Sequence, residues 1–268
     1  MEFIDEGIEE YARLHTEPEN DLLKELVRET HAMVLQPRML SGHLQGRFLS
    51  FIAKVYQPAL ILEIGTYTGY SALCMAEGLK QSGRLITIDV NEELETFTRS
   101  FFDRSAYKEQ IDYRIADAAI EIPGIEGPID LVFIDADKRN YALYFDLVID
   151  KMRSGGLILV DNVLWSGKII EEAARDKSTQ ALRDFNTKVA NDSRVEPLLL
   201  PRKMATTEPR AAETESKNPA LATIGTAIER NTKIISRIER KITTVRYRGS
   251  TDDIRCEMSM FMAAKPVT

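Results

Sequence analysis

The period of the apolar positions changes near residue 57. Before it, "NDLLKELVRETHAMV" places Leu22, Leu23, Leu26, Val27 and Met33 near helical spacing behind a possible cap at Asn20 or Asp21. Residues 1–56 are therefore expected to be helical. After it come short aliphatic runs: "ALILEI", "RLITID", "IDYRIA", "IDLVFID", "GGLILVD" and "VEPLLL". Gly, Pro or acids bound them, and stretches of helical length such as "GYSALCMAEGLKQ" and "STQALRDFNTKVAND" lie between. This alternation predicts an α/β fold, a doubly wound and mostly parallel sheet with helices on both faces. Ligands of such sheets sit beyond the carboxyl ends of the strands.

Those ends carry charge in an ordered way. They read Glu63 and Gly65, then Asp89, then Asp117, then Asp135, Asp137 and Lys138, then Asp161 and Asn162. Solubility alone does not require acids there, because helix faces could supply them. After the first run, "LEIGTYTGYSAL" has Gly65 and Gly69 in a G-x-x-x-G spacing and not the dinucleotide G-x-G-x-x-G. A glycine turn lets a ligand approach the backbone and opens a helix whose first N–H groups are free. Asp89 ends the second run, where an acid takes the hydroxyls of a ribose. Glu63 would repel a pyrophosphate and attract an ammonium or sulfonium, which disfavours NAD and favours S-adenosylmethionine. Ser71 lacks the second glycine of a nucleophile elbow and is expected to cap its helix or touch a cofactor.

At the other end, Asp135 and the pair Asp161–Asn162 close consecutive runs. Neighbouring parallel strands lie about 4.8 Å apart, so the three side chains can converge. Two carboxylates and an amide oxygen suit a hard divalent cation, Mg²⁺ first, with Mn²⁺ or Ca²⁺ as alternatives. Zinc is not suggested, since His15, His31 and His43 lie away from these ends. Lys138 follows Asp135 by three residues, where it could accept a proton from a hydroxyl polarised by the cation. The competing reading is a solvated lysine opening the next helix.

Composition narrows the class. The 268 residues carry a formal charge of −7, against a general nucleic-acid binder. Only Cys74 and Cys256 are present and no apolar run approaches a membrane span, so a cytoplasmic protein without a disulfide framework is expected. The charge is uneven: residues 1–202 are net −11 and 203–268 net +4. The texture changes with it, which puts a boundary near Pro201–Lys203.

With these motifs in view, the chain resembles the metal-dependent, S-adenosylmethionine-dependent O-methyltransferases of the catechol and caffeoyl-coenzyme A type. The likeness rests on "LEIGTYTGYSAL", "ITIDVN", "FIDADK", "LVDNVLWSGK" and "RMLSGHLQGRFL", and runs from about residue 20 to 201. It implies a Rossmann-like methyltransferase sheet and a homodimer, with residues 1–56 as a helical lid or dimer region. It also implies that Glu63, Gly65, Tyr67 and Ser71 hold the methionine portion, Asp89 the ribose and Asp117–Ala118 the adenine edge. Met39 and Ser41 would line the cofactor's other side. Asp135, Asp161 and Asn162 would ligate metal, Asp135 and Asp137 would also organise the cofactor side, and Lys138 would be the general base. Trp165, the one tryptophan, would wall a phenolic or catechol acceptor, with core packing as the other reading. An interaction protein with a vestigial site competes with this function, although four intact reacting-end residues speak against it. A nucleotide-dependent oxidoreductase is disfavoured by the missing fingerprint.

The resemblance stops after "VEPLLLP". Residues 203–268 are expected to be an atypical extension, a polar linker and then a basic amphipathic helix with Ile224, Ile228, Ile235, Ile238 and Ile242. Either 203–255 is an insertion before a displaced last strand in "EMSMFMAAK", or the whole tail is foreign to the fold and leaves a sheet edge open. The second is the expectation taken here.

Overall fold

Asn20, not Asp21, starts the second helix: its side chain accepts from the Leu23 N–H at 2.9 Å. The computed structural model describes residues 6–201 and 258–264. Three helices come first, α1 (Glu6–Leu14), α2 (Asp21–Met33) and α3 (His43–Tyr56). The alternating region follows as β1 (Leu60–Ile64), α4 (Tyr70–Ala76), β2 (Arg84–Asp89), α5 (Glu95–Phe102), β3 (Ile111–Ile115) and the short α6 (Ala118–Glu121). It continues through β4 (Ile129–Ile134), α7 (Tyr141–Ile149), β5 (Met152–Val160), α8 (Lys177–Ala190), β6 (Val195–Pro201) and β7 (Met258–Ala264).

The sheet order is β3-β2-β1-β4-β5-β7-β6, with the first five strands parallel. The order reverses between β1 and β4, so a crevice is expected beyond their carboxyl ends. Alternate residues of β1, β4 and β5 enter opposite cores. Leu62, Val132, Ile134 and Ile158 pack with Phe145 and Val148 of α7 and Leu182 and Phe185 of α8. Ile61, Leu131, Phe133 and Leu159 pack with Leu26 of α2, Leu49 of α3, Leu73 of α4 and Phe101 of α5. Both faces of the inner parallel strands β2, β1 and β4 are thus buried, which is why those runs are mostly aliphatic. Each such side chain contributes about 1.5–3 kcal/mol by leaving water.

One expectation is corrected here. Met258–Ala264 is not outside the fold but forms β7, antiparallel to both β5 and β6. The polar stretch and the basic amphipathic helix expected upstream of it, like Cys256, lie outside the described residues. In the sequence this strand, within "EMSMFMAAK", is legible only as the less favoured alternative, because a strand so far along the chain from both β5 and β6 leaves no local alternation of elements to follow.

Helices α3 and α4 are joined by a partly buried charge network. Arg47 donates to both carboxylate oxygens of Glu77 at 2.8 and 3.0 Å, while Ser50 and Lys54 each reach Oε2 at 2.7 Å. The Arg47 and Glu77 side chains are each only 10% exposed. Burial works against the Glu77 anion, yet bonds from Arg47, Lys54 and Ser50 prevail and hold it at about 2, below the ordinary 4.5. The unfolded chain therefore takes up this proton first as pH falls, so the stabilisation is present above about 4.5 and is lost toward 2. Urea unfolding across that window should show a steeper acid loss in the native protein than in Glu77→Gln.

Candidate active site

Register sets the site. Ile64 of β1 lies level with Ile88, Ile134 lies level with Ile64, and Val160 of β5 with Ile134. The residue after each strand then donates to a carbonyl at the end of its neighbour: Gly65 to Ile88, and Asp135 to Ile64, both at 2.9 Å, and Asp161 to Ile134 at 3.0 Å. Gly65, Asp135 and Asp161 consequently stand in a row at one edge. A cavity of about 1070 Å³ opens over it.

At its β1 end the turn into α4 uses left-handed backbone at Gly65, Tyr67 and Gly69 (φ 102°, 50° and 86°). A Cβ on Gly65 would sit 2.3 Å from the Asp135 carbonyl oxygen, so the close approach requires glycine as much as the dihedral does. The Asp89 carboxylate accepts from Tyr67 N–H at 2.7 Å and Asn91 N–H at 2.9 Å, which fixes its direction at the end of β2. Gly65, Tyr67, Ser71 and Asp89 line the cavity together. Met39, Ser41 and Ala118 line it from other sides.

Two predicted cofactor residues do not. Asp117 is exposed and caps α6, accepting from Ala119 N–H at 2.8 Å. Glu63 is fully buried within β1 behind the turn, where Thr87 donates to its Oε2 at 2.5 Å. Its Oε1 is buried with no hydrogen-bond partner among the described residues. Burial, reinforced by the charges of Asp135 and Asp89, pushes Glu63 up to about 8 although the Ser71 and Thr87 hydroxyls oppose it.

At the β4–β5 end, Lys138 opens a 3₁₀ turn that Asp137 caps. It is 9% exposed, and its Nζ donates to Asp135 Oδ1 at 2.7 Å and Tyr141 Oη at 2.5 Å. Tyr141 in turn donates to the Asp161 carbonyl at 3.0 Å. Burial alone would depress Lys138, but Asp135, with Tyr141 and Asp161 behind it, holds the ammonium above its usual range. The Asp161 carboxylate accepts from Gln45 of α3 at 2.9 Å and from the Asn162 amide nitrogen at 3.2 Å. Burial and the nearby Asp135 charge raise it to about 6. Asn162 and Trp165 both have left-handed backbone, and Trp165 faces the cavity while also packing on the core. Asp135, Lys138, Asp161 and Asn162 are thus brought together. Tyr141 and Gln45 went unnoticed in the sequence, since a buried tyrosine and a helix glutamine carry no spacing signal.

Among the described residues no group of three or more His, Cys, Asp or Glu side chains could hold a metal ion, so a cation here would rest on two carboxylates and an amide. The three histidine rings bond backbone carbonyls at Tyr11, Val27 and Glu17, away from this edge. No helix among the described residues is long and apolar enough to cross a membrane.

The family description "O-methyltransferase" matches residues 13–207. The chain belongs to that O-methyltransferase family. It is 35% identical to a catechol O-methyltransferase of Niastella koreensis over 58% of this chain and 72% of that one. It is 34% identical to a caffeoyl-CoA O-methyltransferase of Petroselinum crispum over 68% and 80% of the two chains. Among solved structures, an O-methyltransferase of Bacillus cereus has the same fold at 23% identity, covering 97% of each chain with a TM-score of 0.72. The SAH-bound methyltransferase of Podospora anserina is 28% identical over 75% of this chain and 93% of that one, with a TM-score of 0.69. The Rossmann-like methyltransferase fold expected from the motifs is therefore the one observed.

Within this O-methyltransferase, Glu63 behaves oppositely to Glu77. Its folded-state value lies above the ordinary 4.5, so the contribution of Glu63 to the stability of the ligand-free protein is fully present below 4.5 and is lost as pH rises toward 8. Glu63→Gln, followed by thermal unfolding from pH 4.5 to 8.5 without ligand, should flatten the loss. An unchanged slope would place the titration elsewhere.

Proposed function

We propose that this chain transfers a methyl group from S-adenosylmethionine to one hydroxyl of a vicinal diol on a small phenolic acceptor, with help from a divalent cation. The observation that carries this reading is the convergence of Asp135, Lys138, Asp161 and Asn162 on the same cavity as the Gly65–Gly69 turn. The relatives named for catechol and caffeoyl-CoA methylation support the acceptor class.

The residues suit both groups. The left-handed turn exposes backbone to the cavity, Asp89 offers oriented oxygens to a ribose, and the unpartnered Glu63 Oε1 favours a positive group nearby. Burial and the Asp135 charge raise the cost of ionising Asp161, which a cation would relieve, and the Asn162 amide nitrogen already on Asp161 leaves that side chain's oxygen as donor. Asp135, Asp161 and Asn162 would hold the cation. When bound, S-adenosylmethionine supplies a methyl on an electron-poor sulfonium, and the cation supplies positive charge that lowers the pKa of a diol hydroxyl.

The chain's own part is placement and proton handling. Gln45 and Asn162 fix the direction of the Asp161 carboxylate. Lys138 could lose its ammonium proton once a cation held by Asp135 and Asp161 offsets the carboxylate charge that keeps it there, and then accept the acceptor's proton at Nζ, while Tyr141 keeps that nitrogen at the cavity wall. Trp165 gives the aromatic ring a flat wall. Orientation of two bound reactants accounts for most of the acceleration, because the methyl donor is already reactive.

Labelled-methyl transfer from S-adenosylmethionine to a panel of catechols, with Mg²⁺ or with chelator, tests the reading. Cofactor binding with no transfer to any vicinal diol would sink it. In the same assay Lys138→Gln should retain cofactor affinity and lose roughly 10²–10⁴-fold in kcat.

A further inference from the structure

The segment after Asn162 folds against expectation for ordinary residues. Trp165 and Ser166 have φ values of 49° and 52° without being glycines, and such backbone persists only where neighbours impose it. Short turn bonds within the segment, such as Trp165 N–H to Asn162 O at 3.0 Å and Glu171 N–H to Lys168 O at 3.1 Å, shape it locally. The tie to the domain comes from α8. Arg183 donates from Nε to Ile169 O at 2.8 Å, from Nη1 to Ala174 O at 2.9 Å, and from Nη2 to Lys168 O at 3.1 Å and Glu171 O at 2.6 Å. One turn further, Asn186 Nδ2 donates to Val163 O at 2.9 Å.

Arg183 has no carboxylate partner among the ion pairs of the described residues; its donors go to backbone carbonyls. The planar fork of a guanidinium suits that work, because its directions are fixed once the stem is fixed. The stem is fixed here by Leu182 and Phe185, buried neighbours that lock α8 to the core. A rigid helix thereby dictates the path of residues 163–174. That path begins beside Asp161 and Asn162 and carries Trp165 at the cavity wall.

We propose that Arg183 is a positioning residue for acceptor binding: its grip on four carbonyls of 168–174 sets where Trp165 stands relative to Asp161 and Asn162. This rests on the reading of Trp165 as the acceptor's wall. Trp165 is the only tryptophan, so indole emission reports this position alone.

The test compares the full chain with Arg183→Gln and Arg183→Lys, measuring acrylamide quenching of Trp165, affinity for S-adenosylmethionine and KM for catechol. Arg183→Gln should increase quenching and raise catechol KM about tenfold or more, as expected for a displaced orienting group. Cofactor affinity should stay within about twofold, because its turn lies at the other end of the edge. Arg183→Lys should restore only part of both, since an ammonium cannot serve four carbonyls in a plane. Unchanged quenching and unchanged KM in either folded variant overturn the proposal, as does a loss of cofactor affinity equal to the loss of acceptor affinity. Should Arg183→Gln fail to fold, Arg183→Lys decides by the same two readouts. If the native protein methylates no vicinal diol, the functional reading fails, while quenching still decides whether Arg183 places Trp165.

Discussion

The level register of β1, β4 and β5 is the constraint on which this molecule depends. Parallel strands whose last residues pair side by side must deliver their following residues side by side as well. Gly65, Asp135 and Asp161 are those residues. A one-position slip of β5 would turn Asp161 toward the opposite face and move the left-handed Asn162 with it. Two aliphatic cores prevent the slip, because alternate side chains of β1, β4 and β5 already belong to one face or the other.

Charge is then handled by location. Glu77 is held as an anion by two cations and a hydroxyl, and serves to join helices. Glu63 and Asp161 are also buried, but the groups around them leave protonation favoured more than usual. The scaffold thus satisfies its structural acid and leaves the acids near the cavity under-compensated. Perturbed acids of this kind cluster at functional sites.

Much of this was legible in the sequence because parallel sheets write their topology in repeated aliphatic runs and put their chemistry directly after them. The residues at Asp89, Asp135, Lys138, Asp161 and Asn162 follow from that rule with no structure in hand. Glu63 was legible as to type but not depth: strand alternation cannot say whether the penultimate residue faces a crevice or lies beneath it. Asp117 shows a similar ambiguity, since a strand-end acid caps the next helix as readily as it meets a ligand, and here it caps α6. Arg183 was silent, because bonds to carbonyls leave no complementary acid to notice. Tyr141 and Gln45 bind across the fold, and their partners are set by tertiary packing alone.

The position of β7 has a consequence in time. Val160 pairs with Met260, a hundred positions on, and β7 separates β5 from β6. While the chain emerges from the ribosome, the strand that ends at Asp161 has one bare flank until the segment 258–264 appears. Closing so distant a pairing is slow compared with forming the helices and neighbouring strands. Nascent chains would thus pass through a stage in which four parallel neighbours are in place and β5 still has an open hydrogen-bonding row, the stage at which a chaperone or another copy of the strand could compete for it.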